Sequence, residues 1–375
     1  MGRFWLTMAV LCLLNLLLAG CGGQSVGATT SSPAPTPTPA VTSTAKFLYA
    51  ANEVSGSISG YSVDASTGDL TPLAGFPVPS GINPVSLIHD PLNKFLIVVD
   101  IATNLIRVYA IDASTGALTE IPPSPYALGM EPRTAAIDPA GKFVYVASQS
   151  LNSVAAFSMD ATGVLTAVPG SPFPTGGTST TGSFGSSVVV DPTGRFVYVA
   201  DLTSVYAFNI NLSTGSLNLV DTVPTFSGNS LAVDPAGTFL YFVGSLSLIQ
   251  TYAINPTTGA LTLAASSTTA THSSSFAITL DHTGHFAFTA EADEVLVAYS
   301  LQNGIFTSLG NIFPGGLGTE QIAIDPSGLF LYAPQTGTEN NISGFRINQS
   351  GSLSPIAGSP TPSGKQPFSV TIIGR

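Results

Sequence analysis

Charge is scarce in this sequence. Asp, Glu, Lys and Arg together make up 8% of its 375 residues, against roughly 25% in an average soluble domain. Ten basic residues face 21 acidic ones, for a formal charge of −11. Such a surface repels phosphate backbones, which argues against nucleic acid as a partner. Cysteine and tryptophan are scarcer still: Cys12, Cys21 and Trp5 are the whole supply. A domain starting at Lys46 therefore has no thiol for a disulfide, a nucleophile or a metal site. There is no Gly-x-Ser-x-Gly elbow, no phosphate-binding loop and no long amphipathic helical pattern. What is abundant is Gly (38 residues) and Pro (28 residues), with Ser and Thr. That is the composition of an all-β protein rich in turns.

The first residues read as an export signal. Arg3 supplies a positive start, and Leu6 to Leu18 an apolar stretch shorter than a membrane span needs. Leu18-Ala19-Gly20-Cys21 then resembles the bacterial lipobox, which implies cleavage before Cys21 and acylation of its thiol. Several acyl chains on one cysteine would give a stable anchor. The expected organisation is a signal peptide over residues 1–20, the lipidated Cys21 with a disordered Pro/Thr/Ser tether over 21–45, and one folded domain over 46–375. The expected location is extracytoplasmic and membrane-anchored, on the outer membrane or the periplasmic face.

From Lys46 onward the chain repeats itself. The clearest unit is a turn followed by a strand: DPLNKFLIVVD from Asp90, DPAGKFVYVAS from Asp138, DPTGRFVYVAD from Asp191, and three further copies from Asp234, Asp281 and Asp325. A seventh strand, KFLYAAN, begins at Lys46 without its turn. The aligned phenylalanines are Phe47, Phe95, Phe143, Phe196, Phe239, Phe286 and Phe330, spaced 43 to 53 residues apart, the size of a four-stranded propeller blade. Asp-Pro-x-Gly suits a type I turn, because Asp binds the following amides, Pro presets φ and Gly ends the turn. The flanking strands are apolar on both faces, as strands covered by neighbouring blades must be. A second turn, such as Asp112-Ala113-Ser114-Thr115-Gly116, leads to an outer strand. The segment Lys365 to Ile372 carries the innermost-strand pattern that the first blade lacks. The prediction is a seven-bladed β-propeller closed by the C-terminal strand completing the first blade, which leaves no open sheet edge.

The motifs Asp-Pro-x-Gly-(Lys/Arg)-Phe-x-Tyr-Val-Ala and Thr-Gly-x-Leu resemble those of the lactonase-type seven-bladed propellers, which include the 6-phosphogluconolactonases, and of the YVTN-type repeat propellers. The resemblance covers nearly all of Lys46 to Arg375. It implies an Arg, a His and a Glu near the channel mouth, in a Gly-Pro-Arg-His segment before an innermost strand and an Asn-Glu after the next. In the third blade Glu131-Pro132-Arg133-Thr134 keeps the Arg, with Thr134 in place of His and Gln149 in place of Glu. The first blade keeps Asn52-Glu53, and the sixth has Glu291 near Phe276-Ala277.

Lactone hydrolysis needs a group that polarises the carbonyl and a base that activates water. On the face of the loops leading into the innermost strands, Arg133 suits the first role, and Glu131, Glu320 or Glu291 the second. The six turn aspartates belong to the opposite face and read as structural. His282 and His285 sit in one of those turns, and His272 reads as a solvated loop residue, so neither a metal nor another cofactor is expected. Few cations reach the loop face, which favours a non-phosphorylated substrate, and export argues the same way. Two functions are open: a lactonase-like hydrolase, or a non-catalytic propeller binding a glycan, peptide or envelope protein. A quinoprotein-type dehydrogenase is disfavoured by the missing Trp motifs and Cys pair.

Overall fold

The structure is a computed structural model that describes residues 45–148, 151–177, 187–226, 228–312 and 321–374. Cys21, the signal segment, the tether ahead of Ala45, Gln149 and Glu320 lie outside the described residues. The described chain forms seven separate antiparallel sheets. Each is ordered from an innermost strand outward, as in the third blade: Pro132–Ile137, Phe143–Ser148, Ser153–Met159 and Leu165–Ala167. The first blade is completed by the C-terminal strand Pro367–Gly374, which pairs with Ala45–Asn52. This is the predicted seven-bladed propeller with the predicted closure.

Two local rules build each blade boundary. In all six Asp-initiated turns one carboxylate oxygen accepts the amide of the repeat Phe at 2.6 to 2.7 Å. All six aspartates are buried, so these are turn residues and not free acids. The repeat Phe then packs on the turn glycine of the next blade. At Gly215, with φ of +79°, a Cβ would lie 2.4 Å from the Phe143 ring, and at Gly68 one would lie 2.5 Å from Phe330, across the closure. Only glycine fits such a left-handed, crowded position. Four tyrosines two residues after the Phe donate to the same glycine carbonyls: Tyr49 to Gly116, Tyr145 to Gly215, Tyr198 to Gly259 and Tyr332 to Gly68, at 2.6 to 3.1 Å.

A third device surrounds the channel. On the innermost strands, nine residues before each repeat Phe, stand Ser86, Thr134, Ser187 and Ser230, with Ser369 completing the first blade. Each hydroxyl accepts an amide of the next blade: Ser369 from Leu87, Ser86 from Ala135, Thr134 from Val188, Ser187 from Leu231 and Ser230 from Ile278, at 3.0 to 3.4 Å. Gln321 of the seventh blade links it to the first by accepting from Ser369. The sixth blade has Ala277 at this position and no hydroxyl to offer.

Candidate functional site

The second strand of each blade rises to the loop face, and its upper end falls five residues after the repeat Phe. Those positions are Asn52, Asp100, Ser148, Asp201, Gly244, Glu291 and Gln335. Most brace their own blade. Asp100 accepts the amides of Ile82 (2.5 Å), Asn83 and Thr103. Asp201 accepts those of Thr203 and Ser204 and the Tyr206 hydroxyl. Asn52 bonds Ser57, Ser59 and Ser363, and Gln335 bonds Ser343.

Arg133 lies where the first two strands of the third blade shift register, between the pairs Pro132–Ser148 and Thr134–Ala147. Its side chain is buried at 7% exposure, with the guanidinium 4.7 Å from the Phe368 ring of the first blade. A desolvated guanidinium on an aromatic face is well held. Thr134 is engaged in the hydroxyl ring, bonded to Val188 at 3.1 Å. Glu131 is half-buried and lends its backbone carbonyl to Ser148. The third blade thus presents an inserted cation and a seam hydroxyl.

The sixth blade differs. Glu291 is 1% exposed and accepts the Ser273 amide at 2.6 Å and the Thr289 hydroxyl at 2.9 Å. Two residues on, the loop places Asp293 beside it, with the following Glu294 at a φ of +69°. Asp293 accepts the Ser273 hydroxyl at 2.6 Å and pairs with His272 Nδ1 at 2.5 Å. Donor atoms of His272, Glu291 and Asp293 all lie within 4.8 Å of one another, the one such trio among the described residues. Burial pushes the Glu291 carboxyl above its ordinary value, and Asp293 adds to the effect. Partial burial would also raise Asp293, but the bonds from Ser273 and His272 outweigh it and hold it below the usual value. A proton-hungry carboxyl, an ionised one and a half-exposed imidazole are the ingredients of acid–base work on water.

His272 is therefore no isolated loop residue: it is paired, and the pairing joins two loops of the sixth blade. Reading the sequence missed Asp293 altogether. One signal was present: of the seven positions after the second strand, only the sixth is followed two residues later by another carboxylate.

Other features carry less chemistry. A cavity of about 450 Å³ opens on the opposite face, lined by Val189, Val190, Leu231, Val233 and Leu280. There His282 bonds the Asp325 carbonyl, and His285 bonds Thr283. Exposed apolar residues are divided between the faces, with Val54, Ile82, Leu151 and Leu246 on the loop side and Leu92, Leu212, Ile305 and Leu329 opposite. Among the described residues no single patch is favoured as a docking surface.

Residues 83–278 match a family profile described as a lactonase, 7-bladed beta-propeller. Among solved structures, a putative 6-phosphogluconolactonase of Bacteroides fragilis superposes with a TM-score of 0.75 at 20% identity, over 90% of this chain and 100% of that one. The periplasmic gluconolactonase PpgL of Pseudomonas aeruginosa gives 0.74 at 20% identity, over 87% and 98%. A protein from Lactobacillus plantarum gives 0.70 at 21%, over 88% and 99%. At these identities the likeness establishes the fold. No curated protein matches the sequence.

Proposed function

The chain belongs to the lactonase family of seven-bladed propellers, and from that premise we propose that it hydrolyses a non-phosphorylated lactone outside the cytoplasm, with the loops of the sixth blade as its active site. The observation that carries this reading is the convergence of His272, Glu291 and Asp293 on the loop face. In the reaction a water oxygen adds to the lactone carbonyl carbon and the ring C–O bond breaks. One water proton passes through the cluster to the departing ring oxygen, and the product is an open-chain hydroxy acid. The cluster activates the water for the first step and lies beside the path of its proton to the ring oxygen.

A phosphorylated substrate is disfavoured because five cations elsewhere in the fold are engaged away from the cluster. Lys46 donates to the Ala113 carbonyl, Lys142 to Leu212 (3.2 Å) and Arg346 to Ser66 (2.5 Å). Arg107 pairs with Glu120, and Arg133 lies on Phe368. Phosphate recognition wants such groups converging on the ligand. The extracytoplasmic location draws support from the Leu18-Ala19-Gly20-Cys21 segment and from the fold shared with the periplasmic gluconolactonase of Pseudomonas aeruginosa. Anchoring at Cys21 is checked by Cys21→Ala, which should move the protein out of the membrane fraction.

The test of function is turnover of a panel holding gluconolactone, its 6-phosphate and acyl-homoserine lactones. Hydrolysis of a non-phosphorylated member that disappears in His272→Ala supports the reading. A folded protein inert on every member would overturn it and favour a binding propeller for a glycan, peptide or envelope protein.

A further inference from the structure

We infer that His272, Glu291 and Asp293 form a binding site for one divalent transition-metal ion, of the Zn²⁺ or Mn²⁺ type. This deepens the hydrolase reading and rests on it only for the ion's use in catalysis. Three observations carry it. First, the donor set is mixed. One imidazole nitrogen and one oxygen from each carboxylate lie within 4.8 Å of one another, and this nitrogen-plus-oxygen set suits zinc, manganese or iron better than calcium. The imidazole separates the trio from an ordinary acidic patch.

Second, the trio is held from behind. The Ser273 amide and Thr289 hydroxyl fix the two oxygens of the buried Glu291, and the Ser273 hydroxyl fixes one oxygen of Asp293. Outer-shell bonds of this kind orient metal ligands. Third, the charge balance differs from the other blades. Asp100 and Asp201 occupy the same position as Glu291, and each is met by several donors with no second carboxylate bonded into the same cluster among the described residues. In the sixth blade two carboxylates stand together, and His272 pairs with Asp293. A divalent ion suits two carboxylates and an imidazole set this close together.

An ion held by three protein ligands keeps positions for water and substrate. Its bound water loses a proton more easily than bulk water does, and a lactone carbonyl on the ion is polarised. Both roles that the sequence divided between Arg133 and a glutamate then fall to one place.

The experiment is calorimetric titration of Zn²⁺, then Mn²⁺, into the full chain purified in detergent and stripped with EDTA. One saturable site per chain is expected. His272→Ala and Asp293→Ala should each weaken it at least about tenfold, the smaller loss seen even for outer-shell partners, while Glu53→Gln on the first-blade loop leaves it unchanged. Both ligands removed are partly exposed, so the variants should fold as the parent does, and thermal melts of the stripped proteins check this. No saturable binding, or equal binding in all variants, would overturn the site. Binding at the trio without turnover of any lactone keeps the ion and removes the hydrolase reading. Turnover that persists in EDTA, with no binding, removes the ion and keeps the hydrolase.

Discussion

The third and sixth blades share one architecture and put it to different use. In the third, the residue at the register shift is Arg133, buried against Phe368, and the following Thr134 completes a seam hydrogen bond. In the sixth, the corresponding residues are Phe276 and Ala277, which offer neither a cation nor a hydroxyl. Its loops instead gather His272, Glu291 and Asp293. The blade that keeps the family-like arginine has drawn it into the packing, while the blade without it carries the ionisable groups. A polar residue in a propeller is thus judged by what its neighbours already satisfy, and a motif match alone leaves that open.

The sharpest way to break this comparison is His272→Ala. If the sixth blade is the site, turnover should fall by about a hundredfold or more, the usual contribution of acid–base assistance, with the denaturation midpoint nearly unchanged. Unaltered turnover would return attention to the third blade. Arg133→Ala makes the opposite prediction. It removes a buried guanidinium from an aromatic face and should cost about 2 kcal/mol in urea unfolding, while the folded fraction turns over at the parental rate. A catalytic loss with intact stability would show that Arg133 works on substrate after all.

The fold was open to reading from sequence because its rules are local and repeated. Asp90 and its five counterparts act on residues a few positions ahead, and the glycine of each outer turn answers the repeat Phe of the preceding blade, with Gly68 answering Phe330 across the closure. Repetition seven times over makes such signals visible. The site has no such support. His272 and Asp293 come from separate loops 21 residues apart, and the bond between them recurs in no other described blade. Thr134 stands where the resemblance implies a His, and Ser86, Ser187 and Ser230 stand at the same offset from their phenylalanines. That shared offset marks Thr134 as a ring hydroxyl.

A smaller effect separates the two carboxylates of the sixth blade by pH. The Glu291 carboxyl is raised above its reference value of 4.5. Its stabilising contribution is therefore present at low pH and lost as pH climbs through the raised value. In EDTA-stripped protein, Glu291→Gln should gain in melting temperature over the parent as pH increases from about 4.5 toward neutrality. Asp293 is lowered, so its contribution is present above the ordinary carboxylate value and fades as pH falls. Asp293→Asn should accordingly cost more at neutral pH than in acid. Melts in which both variants follow the parent at every pH would mean that neither carboxylate feels the surroundings described.

The smallest effect concerns the seam that the sixth blade leaves incomplete. Five seams are bridged by a Ser or Thr oxygen that accepts the next blade's amide, and a sixth by the contact between Gln321 and Ser369. By the same register, a hydroxyl at position 277 would meet the amide of Ile322 in the seventh blade. Ala277 is 4% exposed, so Ala277→Ser adds one oxygen at a buried boundary. If that oxygen finds its amide, the net gain is about 1 kcal/mol in urea unfolding, with no change in turnover. If it finds none, the buried hydroxyl costs a similar amount, so the sign of the shift decides whether the sixth blade lacks only the side chain or also the geometry of the ring.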